Sequence, residues 1–277
     1  MASDSTFHPV VGSHYVVFDS TRPSSTSLLL LFLPATNATP AETSEFEDEA
    51  ATGGYRVIGL RYRDVPGVMD ACPHASPDCP ERIRQQRVFG DLATGTEGNG
   101  PSQSIVHRLT ALLTELDRAH PEDGWKEYLD DGHPRWRRVA VAGLSQGAGM
   151  AAFIAQREAV ARVILFSGPF DNYGVGDSVA SWLRKGHGAT ETDHWYAAYH
   201  ARERMARVIE RSYAALRIPQ AHIRVLTRDD LPKTPSSTYH LSVVSNGATP
   251  RRADGRPAYL RDWLFLLGLC DENCTNR

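Results

Sequence analysis

Short apolar runs of strand length alternate along this chain with longer segments whose apolar residues recur at helical spacing. Apolar, partly β-branched runs predict strands, and they occur at residues 14–19, 28–33, 55–62, 138–142, 162–167 and 223–227, with a strand or strand end at 239–245. Helical spacing or helix-forming composition predicts helices at 41–51, 102–119, 148–155, 205–216 and 263–269. Because strands that alternate with helices through right-handed crossovers form a mostly parallel sheet with helices on both faces, the predicted fold class is α/β.

One long segment interrupts this alternation. Residues 172–219 contain no strand pattern, although they carry the aromatic residues Trp182, Trp195 and Tyr199. The sequence shows no internal repeat that would divide the chain. We therefore interpret residues 1–277 as a single α/β domain, with a helical, cap-like excursion over 172–219 that is expected to cover the functional site.

Size and charge narrow the range of partners. The 277 residues are enough to bury a full core, and 41% are hydrophobic and 23% charged, as in ordinary globular proteins. A formal net charge of -3 provides no bulk attraction to nucleic acid or to an anionic membrane. No apolar run approaches the roughly 18 residues of a membrane-spanning helix. We expect a small-molecule partner, and the sequence leaves the oligomeric state open.

The motif Gly-Leu-Ser-Gln-Gly at residues 143–147 joins the strand predicted at 138–142 to the helix predicted at 148–155. Gly-x-Ser-x-Gly between a strand and a helix is the context of a nucleophile elbow. Its glycines allow a cramped turn and leave room around a serine in a strained conformation. The hydroxyl of Ser145 would project at the start of a helix, where backbone N–H groups favour a developing anion. The motif predicts that Ser145 is a catalytic nucleophile.

A serine nucleophile needs a base within hydrogen-bond reach and a third group that orients the base. In sheets of this kind the acid and then the histidine follow the serine along the chain. His240 is the favoured base because it follows the strand at 223–227 and precedes the final helix. The other histidines after Ser145 lie in the excursion or before a strand: His187, His194, His200 and His222.

Two aspartates qualify as the acid. Asp171 follows the strand at 162–167 through a Gly-Pro turn, which would present it at the carboxyl edge of the sheet beside the nucleophile. Asp229 follows a later strand, but it stands too close to His240 in sequence for an intervening helix and strand. We favour Asp171, which would hold the imidazole tautomer, and keep Asp229 as the alternative.

The oxyanion formed at a substrate carbonyl needs backbone N–H donors. The first would be the N–H of Gln146, and the second that of Ala35 or Thr36 in the loop after the second predicted strand. His200 and Glu203 are interpreted as an internal ion pair with a structural role. No set of His, Asp, Glu or Cys has metal-ligand spacing and no Gly-rich loop has phosphate-cradle spacing, so the sequence predicts no metal and no cofactor.

The four cysteines form two local pairs in the sequence. Cys72 and Cys79 share a Pro-rich loop, and Cys270 and Cys274 lie near the C-terminus. Local pairs predict two small disulfide loops and therefore an oxidising, extracytoplasmic compartment. The alternative is four free thiols in a cytoplasmic protein. A shared zinc ion is disfavoured because the pairs are not spaced like a zinc-ribbon site.

Further short motifs lie between residues 31 and 263, and the whole pattern covers about residues 14–269. They are Leu31-Phe32-Leu33-Pro34, the Cys72/Cys79 loop before Glu81-Arg82-Ile83-Arg84, Gly124-Trp125, the elbow, Ser167-Gly168-Pro169-Phe170-Asp171, Tyr239-His240-Leu241-Ser242-Val243, and the tail Thr249-Pro250, Asp254-Gly255 and Trp263. Together with the element order they resemble the α/β-hydrolase fold superfamily and, more narrowly, a group of bacterial serine-hydrolase-like proteins. The resemblance implies a Ser145, Asp171, His240 arrangement. One departure is Ala35, where such proteins often carry glycine, and this residue could narrow the oxyanion loop.

These features predict an enzyme that hydrolyses a carboxylic ester through an acyl-enzyme intermediate. Ser145 would attack the acyl carbon, His240 would carry the proton and Asp171 would orient His240. Two alternatives stay open. The same nucleophile could serve a thioesterase, an acyltransferase or an acyl-eliminating enzyme on a biosynthetic intermediate, because fold does not determine function. In the other alternative, the chain is a non-catalytic binding protein with an idle elbow.

Overall fold

The structure, a computed structural model, describes residues 13–72, 76–90, 100–174, 178–233 and 238–271. Seven strands form the central sheet: β1 (Tyr15–Val17), β2 (Leu29–Leu33), β3 (Arg56–Gly59), β4 (Val139–Leu144), β5 (Arg162–Phe166), β6 (Trp195–His200) and β7 (Ile223–Leu226). The α-helices are α1 (Ser44–Thr52), α2 (Val68–Ala71), α3 (Cys79–Phe89), α4 (Ile105–Ala119), α5 (Gln146–Arg157), α6 (Ala206–Ala215) and α7 (Leu260–Leu266). Two small antiparallel ribbons pair Leu129–Asp130 with His133–Pro134 and Asn172–Tyr173 with Ser178–Val179.

The strand order across the sheet is β1-β3-β2-β4-β5-β6-β7. Strand β1 runs antiparallel to β3, and every other neighbouring pair is parallel. The carboxyl ends of β4, β5 and β6 therefore meet at one edge of the sheet, where ligands bind in open α/β folds. This arrangement confirms the predicted α/β class and the mostly parallel sheet.

The core lies on both faces of the sheet, because successive residues of each strand point to opposite sides. On one face the sheet packs against α1 and α7, where Phe46 of α1 lies 5.1 Å from the ring of Phe166 and 5.9 Å from that of Trp263. On the other face the sheet packs against α3, α4, α5 and α6. The central strands are buried on both sides and read as continuous apolar runs, as parallel strands do.

Two predicted elements are wrong. Residues 195–200, placed in a strandless excursion, form β6 between β5 and β7, and α6 packs on the sheet beside it. The sequence Trp-Tyr-Ala-Ala-Tyr-His does not predict this strand, because its residues are nearly all buried and so show no alternation, and none of them is β-branched. Residues 239–245 form consecutive turns instead of a strand, closed by backbone bonds such as Ser242 N–H to Thr238 O at 2.9 Å.

No helix in the described part of the chain has the length and apolar character needed to cross a bilayer.

Helix α1 carries a buried carboxyl group. Glu47 is fully buried, its Oε1 accepts a hydrogen bond from Thr43 Oγ1 at 2.8 Å, and its Oε2 has no hydrogen-bond partner among the described residues. Burial raises the pKa of Glu47 to about 8, because an ionised carboxylate loses its hydration there. The folded protein therefore keeps this carboxyl protonated near neutral pH.

We expect the free energy of unfolding to fall as pH rises from about 4.5 to about 8. In this window the unfolded chain has released the Glu47 proton while the folded chain retains it, so stability declines by about 1.4 kcal/mol per pH unit from this group. Glu47→Gln should remove that slope, and urea unfolding across the pH range measures it. The exposed Glu191→Gln is the matched control. Parallel pH profiles for Glu47→Gln and wild type would contradict the burial argument.

A disulfide joins the start of α3 to the residue after α2. Cys72 and Cys79 are bonded with an S–S distance of 2.16 Å and a Cα–Cα distance of 5.6 Å, which confirms the first predicted pair. Of the second pair, Cys274 lies outside the described residues. The bonded loop matters for the site because α2 and α3 both contribute residues to the cavity described below.

Removal of this disulfide in Cys72→Ala/Cys79→Ala should lower the free energy of unfolding by about 2.5 kcal/mol. The chain-entropy argument gives this size for a loop of about eight residues, since the open chain regains conformations in the unfolded state. Denaturant unfolding of both proteins under oxidising conditions measures the difference. Equal midpoints would show that the unfolded chain gains nothing from opening the loop.

Candidate active site

Ser145 occupies the turn between β4 and α5 in a strained conformation. Its φ of 58° and ψ of -116° lie in a sparsely populated region for a residue with a Cβ atom. The surrounding packing makes this turn possible only with glycine on either side. A Cβ on Gly147 would lie 1.9 Å from the carbonyl oxygen of Leu33, and one on Gly143 would lie 2.4 Å from the carbonyl carbon of Gly147. The strand, the serine and the helix thus form the elbow that the motif predicts.

The neighbouring strand and the first turn of the helix hold this elbow in place. The N–H of Ser145 donates to Phe166 O at 2.8 Å, and its carbonyl accepts from Gly149 N–H at 3.2 Å. Gly168 also packs directly on the turn, because a Cβ there would meet Ser145 O at 2.5 Å. Strain of this kind persists only where packing over-determines it, and it gathers at functional sites.

A buried glutamate contacts the histidine that the sequence selects. Nδ1 of His240 lies 2.6 Å from Oε2 of Glu203, whose side chain is 0% exposed against 28% for that of His240. The other carboxylate oxygen, Oε1, accepts from Ser167 Oγ at 2.8 Å and from the N–H of His200 at 3.0 Å. These bonds fix the carboxylate in one orientation, directed at the imidazole.

This contact determines which imidazole nitrogen is available for chemistry. A carboxylate on Nδ1 stabilises the tautomer that carries its proton there and leaves Nε2 as a proton acceptor. It also stabilises the imidazolium that would form when Nε2 accepts a proton. Glu203 lies in the turn after β6, and His240 lies beyond β7, so the chain order is serine, acid, histidine.

Asp171, the acid that the sequence favours, has other partners in the structure. Its Oδ2 accepts from Arg84 Nε at 2.6 Å and from Trp182 Nε1 at 2.9 Å, and its Oδ1 accepts from Arg84 Nη2 at 2.6 Å. Both charged side chains are buried, at 2% and 1% exposure. The bidentate pair neutralises Asp171 within the wall of the site, and the carboxylate on His240 is that of Glu203.

The alternative acid, Asp229, lies on the surface. It forms an ion pair with Arg202 at 3.0 Å, and both side chains are at least half exposed. His200, which the sequence analysis pairs with Glu203, contacts that carboxylate only through its backbone N–H. Its ring Nδ1 accepts from the N–H of Arg202 at 3.1 Å, and its Nε2 lies 2.9 Å from Arg228 O. The carboxylate of Glu203 is therefore directed at His240.

Gln146 connects the elbow to the loop that forms the opposite wall. Its side-chain Oε1 accepts from Val68 N–H at 2.8 Å and from Arg87 Nη1 at 2.9 Å, while its Nε2 donates to Asp64 O at 2.5 Å. Gln146 is also the first residue of α5, where backbone N–H groups have no acceptor within the helix. Burial lowers the pKa of Arg87, the cation in this clamp.

The loop after β2, which carries Ala35 and Thr36, contacts the elbow directly. A Cβ on Gly147 would meet Pro34 O at 2.7 Å, so no space separates the two segments. Thr36 lines the same cavity as Ser145 and Gln146. The three residues predicted for an oxyanion hole therefore come from two segments that lie in contact.

In the part of the chain that the structure describes, two neighbouring cavities open at this edge of the sheet. The smaller, of about 180 Å³, is lined by Ser145, Gln146, Arg84 and Asp171 among others. The larger, of about 870 Å³, is lined by His240, Glu203 and residues from the start of α6. Both are lined by Met69, Asp70 and Phe170, so they are neighbours. The Phe170 ring also lies edge-on to the His240 ring at 5.7 Å.

Glu203 contacts the predicted base, although its sequence context indicated only a structural ion pair. The signal available was its place three residues after a strand, but the strand itself carries no recognisable pattern. Arg84 and Gln146 also gain roles that depend on long-range contacts, with partners 87 and 78 residues away. Among the described residues, His120, Glu122 and Asp123 bring potential metal ligands within 4.8 Å of one another, in a surface turn that lines neither cavity.

No protein-family model matches the sequence, and no curated protein matches it. Among solved structures, a sugar hydrolase from Lactococcus lactis is 15% identical, with a TM-score of 0.46 over 94% of this chain and 94% of that one. Esterase 2 of Thermogutta terrifontis is 12% identical, with a TM-score of 0.45 over 94% and 87%. A carboxylesterase from Bacillus cereus is 15% identical, with a TM-score of 0.36 over 78% and 82%. These likenesses are distant, and the description of the fold rests on the chain's own sheet and elbow.

Proposed function

We propose that this protein is a serine hydrolase acting on a carboxylic ester, with Ser145 as nucleophile, His240 as base and Glu203 as the acid that orients the histidine. The observation that carries the proposal is the 2.6 Å contact between His240 and a fully buried carboxylate, on a sheet whose elbow serine is strained. Burying a carboxylate is costly unless it is paired and hydrogen-bonded, and Glu203 is both.

In the proposed first step, Ser145 Oγ attacks the acyl carbon while its proton passes to Nε2 of His240. The carbonyl π electrons move to the oxygen, and the N–H of Gln146 with that of Ala35 or Thr36 would bind the resulting oxyanion. Collapse of this intermediate breaks the ester C–O bond. The proton on Nε2 goes to the leaving alcohol, and the acyl group remains on Ser145.

The second half of the proposed reaction uses water in place of serine. His240 accepts a proton from water as the hydroxide oxygen attacks the acyl-enzyme carbonyl. The second tetrahedral intermediate breaks the bond to Oγ, and Ser145 recovers its proton from Nε2. The products are one carboxylic acid and one alcohol. The Glu203 carboxylate stabilises the imidazolium in both halves.

The test combines turnover with covalent labelling. Wild-type protein should hydrolyse a p-nitrophenyl ester series, with short acyl chains preferred because the cavity at Ser145 is small. A fluorophosphonate should attach to Ser145, as mapped by peptide mass spectrometry. Hydrolysis in ¹⁸O-labelled water should place solvent oxygen in the released acid, which separates hydrolysis from acyl transfer or elimination. Absence of both turnover and labelling would favour the idle-elbow alternative.

A further inference from the structure

Positive charge concentrates in the larger cavity, on the side of His240. Three arginines line it, Arg202, Arg204 and Arg207, from the turn after β6 and the first turn of α6. The acidic residues in the same lining are Asp70 and Glu203. The side chain of Glu203 is 0% exposed and is hydrogen-bonded to His240, Ser167 and the N–H of His200, so its carboxylate has no free surface for a guest in the cavity.

The three arginines differ in the ion pairs and hydrogen bonds of their guanidinium groups. Arg202 forms an ion pair with Asp229 at 3.0 Å and hydrogen-bonds to the side chain of Tyr239, which raises its pKa. In the part of the chain that the structure describes, no ion pair or hydrogen bond engages the guanidinium of Arg204 or Arg207. Among the described residues Asp70 has no ion pair either, so two unpaired cations outnumber one unpaired anion in the lining, and the balance favours an anionic guest.

The cavity also offers apolar surface next to these cations. Phe170, Met205 and Val208 contribute to its lining, and the first of these separates it from the cavity at Ser145. A guest that fits this lining has an apolar body and an anionic end. Arginine suits either a carboxylate or a phosphate at that end, because its planar fork binds two oxygens at once.

The proposed reaction determines which half of an ester would enter this cavity. His240 gives its proton to the leaving oxygen, so the leaving alcohol lies beside the imidazole. The acyl group would remain at Ser145, in the cavity of about 180 Å³, while the larger cavity of about 870 Å³ receives the alcohol.

We infer that the preferred substrates are esters of a short acyl group with an alcohol that carries a carboxylate or phosphate, bound by Arg204 and Arg207. This inference rests on the proposed function for its assignment of the two halves of the ester. The part of the inference that the two arginines bind an anion does not need the proposed function, because it follows from the residues that line the cavity.

The kinetic test compares aryl acetates that differ only in the charge of the leaving group. The probes are meta-acetoxybenzoate, meta-acetoxyphenyl phosphate, the neutral methyl meta-acetoxybenzoate and the cationic meta-acetoxy-N,N,N-trimethylanilinium, each rate divided by its hydroxide-catalysed rate. We expect at least one anionic probe to exceed the neutral probe in kcat/KM and the cationic probe to fall below it. The two anionic probes separate carboxylate from phosphate recognition.

Arg204→Gln/Arg207→Gln should lower the anionic-to-neutral ratio by about tenfold, the effect expected for losing two partly exposed charge contacts. Added salt should reduce the wild-type ratio in the same direction. The matched control is Arg137→Gln, an exposed arginine just before β4 at the opposite edge of the sheet, which should keep the wild-type ratio. A ratio of one in wild type, or an equal ratio in the double variant, would overturn the inference while leaving ester hydrolysis intact.

Two further measurements separate the outcomes. A preference for p-nitrophenyl hydrogen succinate over p-nitrophenyl butyrate, without a leaving-group preference, would place the anion on the acyl side and overturn the assignment to the alcohol. Calorimetric binding of the free phenols, meta-hydroxybenzoate and meta-hydroxyphenyl phosphate, to Ser145→Ala needs no turnover. If no ester is cleaved, arginine-dependent binding of either phenol would support the anion site while the proposed function fails. If no ester is cleaved and neither phenol binds, both the anion site and the proposed function are overturned.

Discussion

Ser145→Ala is expected to lower kcat/KM for p-nitrophenyl esters by about 10⁶-fold, to the level supplied by binding and the oxyanion donors alone. The reason is that no acyl-enzyme can form without Oγ, while every other group of the site stays in place. Alanine retains the Cβ atom, so the φ of 58° at this position is no more strained than with serine. Near-ultraviolet circular dichroism and the unfolding midpoint should match those of wild type.

The control for this prediction is Ser25→Ala, an exposed serine that lines neither cavity. It should retain wild-type kcat and KM. Fluorophosphonate labelling should vanish in Ser145→Ala and persist in Ser25→Ala. Turnover by Ser145→Ala above one part in a hundred of wild type would show that another group performs the attack and would remove the elbow from the mechanism.

Glu203→Gln should reduce kcat by about 10³ to 10⁴-fold with little change in KM. The side chain keeps its size, but it loses the negative charge that stabilises the imidazolium as Ser145 gives up its proton. Because that charge develops in the transition state and not in the bound ester, the loss falls on kcat. Single-turnover kinetics with a p-nitrophenyl ester would show the defect as a lower rate of acylation.

Asp171→Asn is the comparison that separates the two carboxylates. Here the expected loss is in stability, about 3 to 5 kcal/mol, because the Arg84 guanidinium would be left buried without its anion. At temperatures below the unfolding transition, kcat should change far less than in Glu203→Gln. Replacing both partners with apolar residues, in Arg84→Met/Asp171→Leu, should recover much of the lost stability.

The opposite pattern has a definite meaning. A folded, stable Asp171→Asn protein that loses kcat, beside a Glu203→Gln protein that keeps it, would return the acid to Asp171. Both variants should be measured by urea unfolding and by turnover at the same temperature, so that stability and kcat are not confused.

Much of the architecture follows from the sequence because it is encoded locally. The run before Gly143 predicts a buried strand, the small residues after Gly147 predict a helix, and the structure places β4 and α5 there. The strained turn follows from the same pentapeptide, since its two glycines have no space for a Cβ. His240 is selected by element order alone, after the last long strand, and the structure places it against a buried carboxylate.

The identity of that carboxylate depends on the tertiary structure. Asp171 and Glu203 both follow sheet strands, and nothing in the local sequence says that Arg84, 87 residues away, neutralises the first. The strand before Glu203 is buried in the middle of the sheet, where neither face produces an alternating pattern. Short-range propensity therefore specifies the elbow and most of the strands and helices, but not β6 or α3. Which charges meet is decided by packing between distant segments, because a buried ionic group is stable only beside the partner that the fold brings to it.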